Sequence, residues 1–366
     1  MFKLDKSMPT PADTVANRHV SRIDWVDLAR GIGILLVILG HASGGIVDSP
    51  AGARAPEAHI VYLSIYIFHM ALFFFLAGLF VAARLKANAE SFLLNTGTRL
   101  ARAYFTWAAI QFTVIYLMGS ALNHPADGPY LPQLVAILWK PVSQFWFLYV
   151  LVFMQLLAFL IVPRMGATGF FVITAAVTAS YHLFNLDDLF NWPTFNQFAI
   201  YFVWFGAGTA VGPYVPRLKF LQPAKPFYAL VALALLAGFF YLAYHYFDGA
   251  QPGGLISLST DRLYRVANHP IFLTAAAAGT AMVVLASCTG LIPARGFVDY
   301  IGRHSMAIFL THVLFIAGTR IVVLKLAPNI EPMLLMVCVA GAGLAGSLLF
   351  LEAAKRLKVA RTLALV

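Results

Sequence analysis

Arg30 and His41 lie eleven residues apart within an otherwise apolar run of the sequence. In an α-helix, eleven residues return to within about 20° of the starting direction and rise roughly 16 Å, so both side chains share one face. A neutral imidazole can take a proton from a hydroxyl, and a nearby cation can stabilise an anionic group or an oxyanion. Asp27 precedes Arg30 by three residues and is expected to hold its guanidinium.

Two further histidines, His69 and His312, are expected at a membrane depth similar to that of His41. Each has polar companions at helical spacing: Tyr62 and Tyr66 before His69, and Ser305 before His312. The alternative is that each histidine only hydrogen-bonds a neighbouring helix. Three histidines at one depth, with an arginine on the face of the first, favour a functional site, although the sequence does not show that they converge.

This arrangement suits two kinds of chemistry. A histidine base beside a cation can promote acyl transfer to an alcohol. It also suits a proton-coupled carrier, in which His41 is protonated and released as the substrate moves.

The composition places these residues in a lipid bilayer. Hydrophobic residues make up 61% of the 366 positions and charged residues 11%, with a mean hydropathy of +0.80. A soluble domain with this composition would aggregate. The formal net charge of +10 therefore reflects topology and contact with anionic lipid, and no nucleic-acid partner is expected. Neither cysteine has metal-ligand spacing, so no metal site is expected.

Apolar runs near 20 residues predict an all-α bundle of about ten transmembrane helices, at about 27–46, 60–83, 101–120, 145–163, 168–185, 195–213, 227–247, 270–288, 304–324 and 332–352. Most Lys and Arg residues fall on the side of the N-terminus, which predicts that both termini are cytoplasmic. The basic residues assigned to the outer side are Arg54, Lys140, Arg262, Arg265, Arg320 and Lys325.

This topology divides the chain into a cytoplasmic N-terminal segment (1–24), a membrane domain (25–354) and a cytoplasmic C-terminal tail (355–366). A cleaved signal peptide is the alternative reading of the first span. It is disfavoured because the polar lead is long and the apolar region contains a histidine.

Five segments in order resemble the acyltransferase-3 family of integral membrane acyltransferases. That family begins with a basic residue, ten residues and a histidine, and Arg30, Gly31 and His41 fit this pattern, with Asp27 before them. The other similar segments are 68–78, the pair Arg99 and Arg102, the aromatic stretch 145–149, and the stretch from 301–305 up to His312. Departures from the family pattern are Ala71 and Ala103, where proline is usual, and Ala77, where serine is common.

The resemblance implies a stand-alone member, without the SGNH-type domain of many relatives. It implies O-acylation, most often O-acetylation, of an exopolysaccharide or other cell-surface glycan, or of a lipid-linked glycan, in the bacterial inner membrane. The expected donor is acetyl-CoA, no permanently bound cofactor is expected, and polysaccharide assembly machinery is a further expected partner. Two alternatives stay open: a proton-coupled exporter of a small acid or acylated product, and a non-catalytic subunit of a polysaccharide export complex.

On this interpretation His41 is the catalytic base or a transient acyl carrier, and Arg30 is its electrostatic partner. Arg99 and Arg102 are expected to bind the phosphates of CoA, although plain positive-inside anchoring would also explain them. The supporting or substrate-binding residues are expected to be Asp27, His69, Trp146, Tyr149, Ser305 and His312. Trp146 and Tyr149 could stack on sugar rings, but aromatic residues in spans more often serve packing.

Overall fold

The computed structural model describes residues 24–49, 52–119, 128–184, 192–215, 273–289 and 292–366, and the isolated positions 122, 186, 227, 230, 231, 233 and 234. Every regular element in these residues is helical, which confirms the predicted all-α fold. Most of the N-terminal segment 1–24, nearly all of the predicted span 227–247 and the residues 248–269 between it and the next predicted span lie outside the described residues.

Twelve main helices can be numbered along the described part of the chain. They are α1 Asp24–Val47, α2 Pro56–Tyr66, α3 His69–Gly78, α4 Val81–Ala87, α5 Thr98–Met118, α6 Tyr130–Ala136, α7 Trp146–Leu183, α8 Pro193–Val211, α9 Leu273–Thr289, α10 Arg295–Arg303, α11 Ser305–Leu326 and α12 Pro332–Arg356. A short helix Ala89–Ser91 and a π-helical turn Phe92–Gly97 join α4 to α5.

Six helical segments in the described residues are long and apolar enough to cross a membrane. They are Asp24–Val47, Pro56–Ala87, Ser143–Leu183, Pro193–Val215, Ser305–Leu326 and Pro332–Arg356. The second of these segments, predicted as one span over 60–83, is broken into α2, α3 and α4. The first break lies at Ile67 and Phe68, where Phe68 has φ −130° and ψ −20°. This break places His69 at the start of its own helix.

α7 is 38 residues long, and Gly166 interrupts it with φ 72° and ψ 174°. Both halves contact α8: the rings of Trp146 and Tyr201 are 5.6 Å apart, and the Thr178 hydroxyl donates to the carbonyl of Ala199 at 2.7 Å. A straight helix would separate residues 146 and 178 by about 48 Å. The chain therefore reverses at Gly166, and the two halves correspond to the predicted spans 145–163 and 168–185.

The end of α1 is fastened to α11 by Arg320. This side chain is 6% exposed, donates to the carbonyl of Gly45 and is attracted by the carboxylate of Asp48. Basic side chains stabilise helix C-termini, where the last carbonyls lack intrahelical partners. The sequence assigned Arg320 only to an outer surface, whereas the structure buries it between two helices that each carry a site histidine.

The C-terminal tail packs back onto the bundle. After α12 ends at Arg356, the carbonyl of Leu363 accepts a hydrogen bond from the Trp107 indole at 2.7 Å. Leu365 is 4% exposed. This segment is therefore part of the folded domain.

Candidate active site

Three histidines from three separate helices meet at one place. The ring of His41 on α1 lies 5.1 Å from that of His312 on α11 and 6.2 Å from that of Tyr66 on α2. Tyr66 in turn lies 4.7 Å from His69 and stacks on Tyr62 at 3.9 Å. The structure thus brings together the histidines that the sequence placed only at a similar depth.

Two of these rings are held by backbone carbonyls. Nδ1 of His69 bonds the carbonyl of Ile65 at 2.8 Å, and Nδ1 of His312 bonds those of Ile308 and Phe309 at 3.0 and 2.9 Å. Because a carbonyl only accepts hydrogen bonds, each Nδ1 carries the proton, and Nε2 of the neutral ring keeps its lone pair. His312 is fully buried, and within the described part of the chain its Nε2 has no hydrogen-bond partner.

A cavity of about 1090 Å³ opens beside this cluster. Among the residues that the structure describes, five arginines line it: Arg30, Arg84, Arg99, Arg102 and Arg303. The structure therefore brings the predicted pair on α5 together with the arginine of α1, although they are some 70 residues apart in sequence. Asp27 and Ser305, predicted as supporting residues, also line the cavity.

The inner end of the cavity reaches towards the histidines. Val37, Met70 and Phe309 line it there, and each lies within one helical turn of one of the three histidines. Arg30, by contrast, lies eleven residues before His41 on α1, a rise of roughly 16 Å. The cavity therefore extends from a cationic region, to which Arg30 belongs, to side chains that neighbour the histidines along their helices, while His41, His69 and His312 themselves do not line it.

Arg30 is oriented by two neighbours. Its Nη1 lies 3.4 Å from Oδ1 of Asp27, the ion pair expected from their spacing. Its guanidinium also lies 5.8 Å from the ring centroid of Phe80. The guanidinium of Arg84 lies at the same distance from the same ring, so two cations flank one aromatic side chain. Such a pair of cations favours an anion between or beside them.

Close backbone packing holds α10 against α1. A Cβ on Gly302 would lie 1.8 Å from the carbonyl oxygen of Asp27, and one on Gly31 would lie 2.2 Å from that of Val298. Only glycine permits this approach. The contact brings Arg303 and Ser305 into the wall of the cavity beside Arg30. This close packing is a physical reason for the glycines at positions 31 and 302 in the two family-like segments.

Sequence reasoning missed several residues of this site. Arg84 and Arg303 were assigned only to the positively charged side of the membrane, and Phe147, which lines the cavity 5.5 Å from the ring of Phe309, was not singled out. Helical spacing alone gave no signal, because these residues reach the cavity from three separate helices that only the folded bundle brings to the same space.

Trp146 and Tyr149 lie elsewhere. Trp146 stacks on Tyr201, and the Tyr149 hydroxyl donates to the carbonyl of Leu138 at 3.0 Å while its ring lies 5.3 Å from that of Tyr104. Neither side chain lines the cavity. The structure thus places both in packing and loop contacts and does not bring them to the histidines.

The acyltransferase-3 family model, described as an acyltransferase domain, matches residues 23–352. Because this match covers nearly the whole chain, the protein belongs to that family and is a membrane acyltransferase. No curated protein and no solved structure shows significant similarity to the chain.

Proposed function

We propose that this membrane acyltransferase is an O-acetyltransferase that moves an acetyl group from acetyl-CoA to a hydroxyl of an exopolysaccharide or other cell-surface glycan. One observation carries the proposal: arginines line one part of the cavity, and the three histidines lie just beyond its inner end. Acetyl-CoA has phosphates at one end and the thioester at the other, so its phosphates match the arginines and its thioester matches the histidines.

The dimensions of the donor fit this arrangement. About twelve bonds separate the diphosphate of CoA from its sulfur, which corresponds to four residue-lengths of extended chain, or roughly 14 Å. The rise of α1 from Arg30 to His41 is roughly 16 Å. A cavity of about 1090 Å³ also suits a ligand larger than an ordinary drug-sized molecule, whose sites span roughly 300 to 1,000 Å³. Phosphates beside Arg30 would thus place the thioester near His41.

The charges of the cavity favour a polyanionic ligand. Arginine binds phosphate through paired N–H groups, and the described residues that line this cavity include five arginines and one acidic side chain, that of Asp27. Positive-inside anchoring alone would require basic residues on one side of the membrane, but it would not require them to surround a common cavity. We therefore assign Arg84 and Arg303, together with the predicted Arg99 and Arg102, to donor binding.

We assign His41 as the general base. It takes the proton of the acceptor hydroxyl as the oxygen attacks the thioester carbonyl, and it returns that proton to the departing CoA thiolate. A histidine that first accepts the acetyl group itself would occupy the same position, and the two schemes share every residue named here. In both, Arg30 acts on the phosphates of the donor and not on the imidazole.

The acyl group we propose is short and uncharged. Val37, Met70 and Phe309 give the inner end of the cavity an apolar wall. A succinyl group would bring a carboxylate to this wall, where an unpaired charge is costly. Acetyl fits without that cost.

The glycan acceptor and the bacterial inner membrane follow from what the family resemblance implies, and polysaccharide assembly machinery is the corresponding partner. The proposal is tested by comparing surface glycan from cells with and without this chain. We expect loss of ester-linked acetyl groups, restored by the wild-type chain and not by His41→Ala at equal membrane abundance. Unchanged acetyl esters, together with no acetyl-CoA binding by the purified folded protein in calorimetry, would contradict the proposal and favour a transporter.

A further inference from the structure

We infer that His312 is a positioning residue for acyl transfer: its Nε2, which has no partner among the described residues of this structure, accepts a hydrogen bond from a ring N–H of His41 when the His41 ring turns towards it in the substrate-bound site, and thereby fixes which nitrogen of His41 faces the acceptor hydroxyl. This inference rests on the proposed function, because it gives a partner to the proposed base.

The geometry of the two rings supports this assignment. Their centroids are 5.1 Å apart and their planes meet at 54°, a separation into which an N–H···N hydrogen bond of about 2.9 Å fits. Within the described residues, Nε2 of His312 is buried without a partner, and leaving such an atom unpaired is costly. In the described part of the chain, the aromatic rings that neighbour His312 are those of His41 and Phe309, and of these only His41 can donate to a nitrogen.

The other nitrogen of His312 is already used. Its N–H is held by the carbonyls of Ile308 and Phe309 on the same helix. This bond fixes the tautomer and the ring orientation, as a carbonyl or carboxylate bonded to the outer nitrogen does for histidines in metal sites and catalytic triads. Nε2 is therefore held ready as an acceptor, and it cannot become a donor unless the ring is protonated.

The chemical step then balances as follows. His41 takes the acceptor proton while the acceptor oxygen bonds to the thioester carbon, the C–S bond breaks, and the thiolate takes the proton from the His41 imidazolium. During this step His312 stays neutral, and its lone pair stabilises the imidazolium through the shared N–H. A carboxylate has this task in the Ser-His-Asp triad; here a neutral imidazole does it without adding a full charge to an apolar site.

The test compares His312→Leu and His312→Gln with a matched control at His59. His59 is also a histidine 2% exposed whose Nδ1 bonds a carbonyl four residues earlier, that of Ala55, at 3.1 Å. We expect His312→Leu to lower kcat for acetyl transfer about ten- to a hundredfold, the effect of one hydrogen bond to a charged group, with the KM for acetyl-CoA unchanged. His312→Gln should recover part of the loss, because its amide oxygen can accept, and His59→Leu should match the wild type.

A double variant separates positioning from structure. If the two histidines act as a unit, His41→Ala with His312→Leu should be no less active than His41→Ala alone. Acetyl-CoA binding measured by calorimetry shows whether each variant is folded. If His312→Leu does not bind acetyl-CoA, the kcat of His312→Gln is compared with that of His59→Gln. A kcat that falls only in His312→Gln supports the inference, and equal values overturn it. A wild-type kcat in His312→Leu, or losses that multiply in the double variant, would overturn the inference. Absence of acetyl transfer by the wild type would instead contradict the proposed function.

Discussion

The proposed donor site can be perturbed from both sides, because phosphates can be removed from the donor and arginines from the protein. S-acetyl-pantetheine has the same thioester and arm as acetyl-CoA but no phosphate. Replacing Arg99 by Ala removes one guanidinium from the lining of the cavity. We expect this change to raise the KM for acetyl-CoA and to leave that for acetyl-pantetheine unchanged. kcat should hold, because a contact far from the thioester binds ground and transition states alike.

The size of the effect follows from exposure. Arg99 is exposed to the cavity, so solvent screens its contact with a phosphate. Exposed ion pairs contribute up to about 1 kcal/mol, and hydrogen bonds to charged groups begin near about 1.5 kcal/mol. At about 1.36 kcal/mol per factor of ten, the KM for acetyl-CoA should rise about five- to tenfold.

The assay measures initial rates with each donor in protein reconstituted in lipid nanodiscs. Arg295→Ala is the matched control, because Arg295 is exposed on α10 and is not part of the cavity lining. An equal rise in KM for both donors would show that Arg99 supports the fold of the site. A KM for acetyl-CoA that matches the wild type would refute the phosphate assignment.

Three further predictions concern the packing of α10 on α1, the Arg320 contact and the acyl-group pocket. Gly302→Ala should lower the Tm and weaken acetyl-CoA binding, because its Cβ would overlap the carbonyl of Asp27. Gly296→Ala on the same helix should do neither, because its Cβ would meet nothing within 4 Å. Equal melting curves for the two variants would contradict this packing. Arg320→Ala should lower the Tm more than Arg320→Lys, since lysine can still reach the end of α1; identical Tm values in a fluorescence melt would show that the contact is not stabilising. Met70→Ala should raise the rate with butyryl-CoA relative to the rate with acetyl-CoA about tenfold, because about one methylene of room in a pocket carries discrimination of this size. An unchanged ratio of the two rates would show that Met70 does not select the acyl group.

Helical periodicity was sufficient to predict the positions on α1. The shared face of Arg30 and His41 and the pairing of Asp27 with Arg30 depend on one helix and its 3.6-residue turn. The convergence of the histidines could not be predicted in this way, because it depends on contacts between α1, α2 and α11 and on a helix break at Phe68 that is followed directly by His69.

The aromatic segment 145–149 shows that a motif in the sequence does not predict which of its side chains lines a cavity. In an α-helix each successive residue turns by about 100°, so neighbours along the chain face different partners. Phe147 therefore reaches the cavity while Trp146 and Tyr149 contact Tyr201 and Leu138. Which side chain of this segment lines the cavity could not be predicted from the sequence, since helix rotation is set by the surrounding bundle.

We propose that His41 catalyses the transfer of an acetyl group from acetyl-CoA to a glycan hydroxyl. The most direct test incubates the purified protein in nanodiscs with acetyl-labelled acetyl-CoA and a surface-glycan acceptor, and measures label in alkali-labile glycan esters. We expect label with the wild type and at least about a hundredfold less with His41→Ala, at unchanged acetyl-CoA binding. Equal labelling by the wild type and His41→Ala would contradict this proposal.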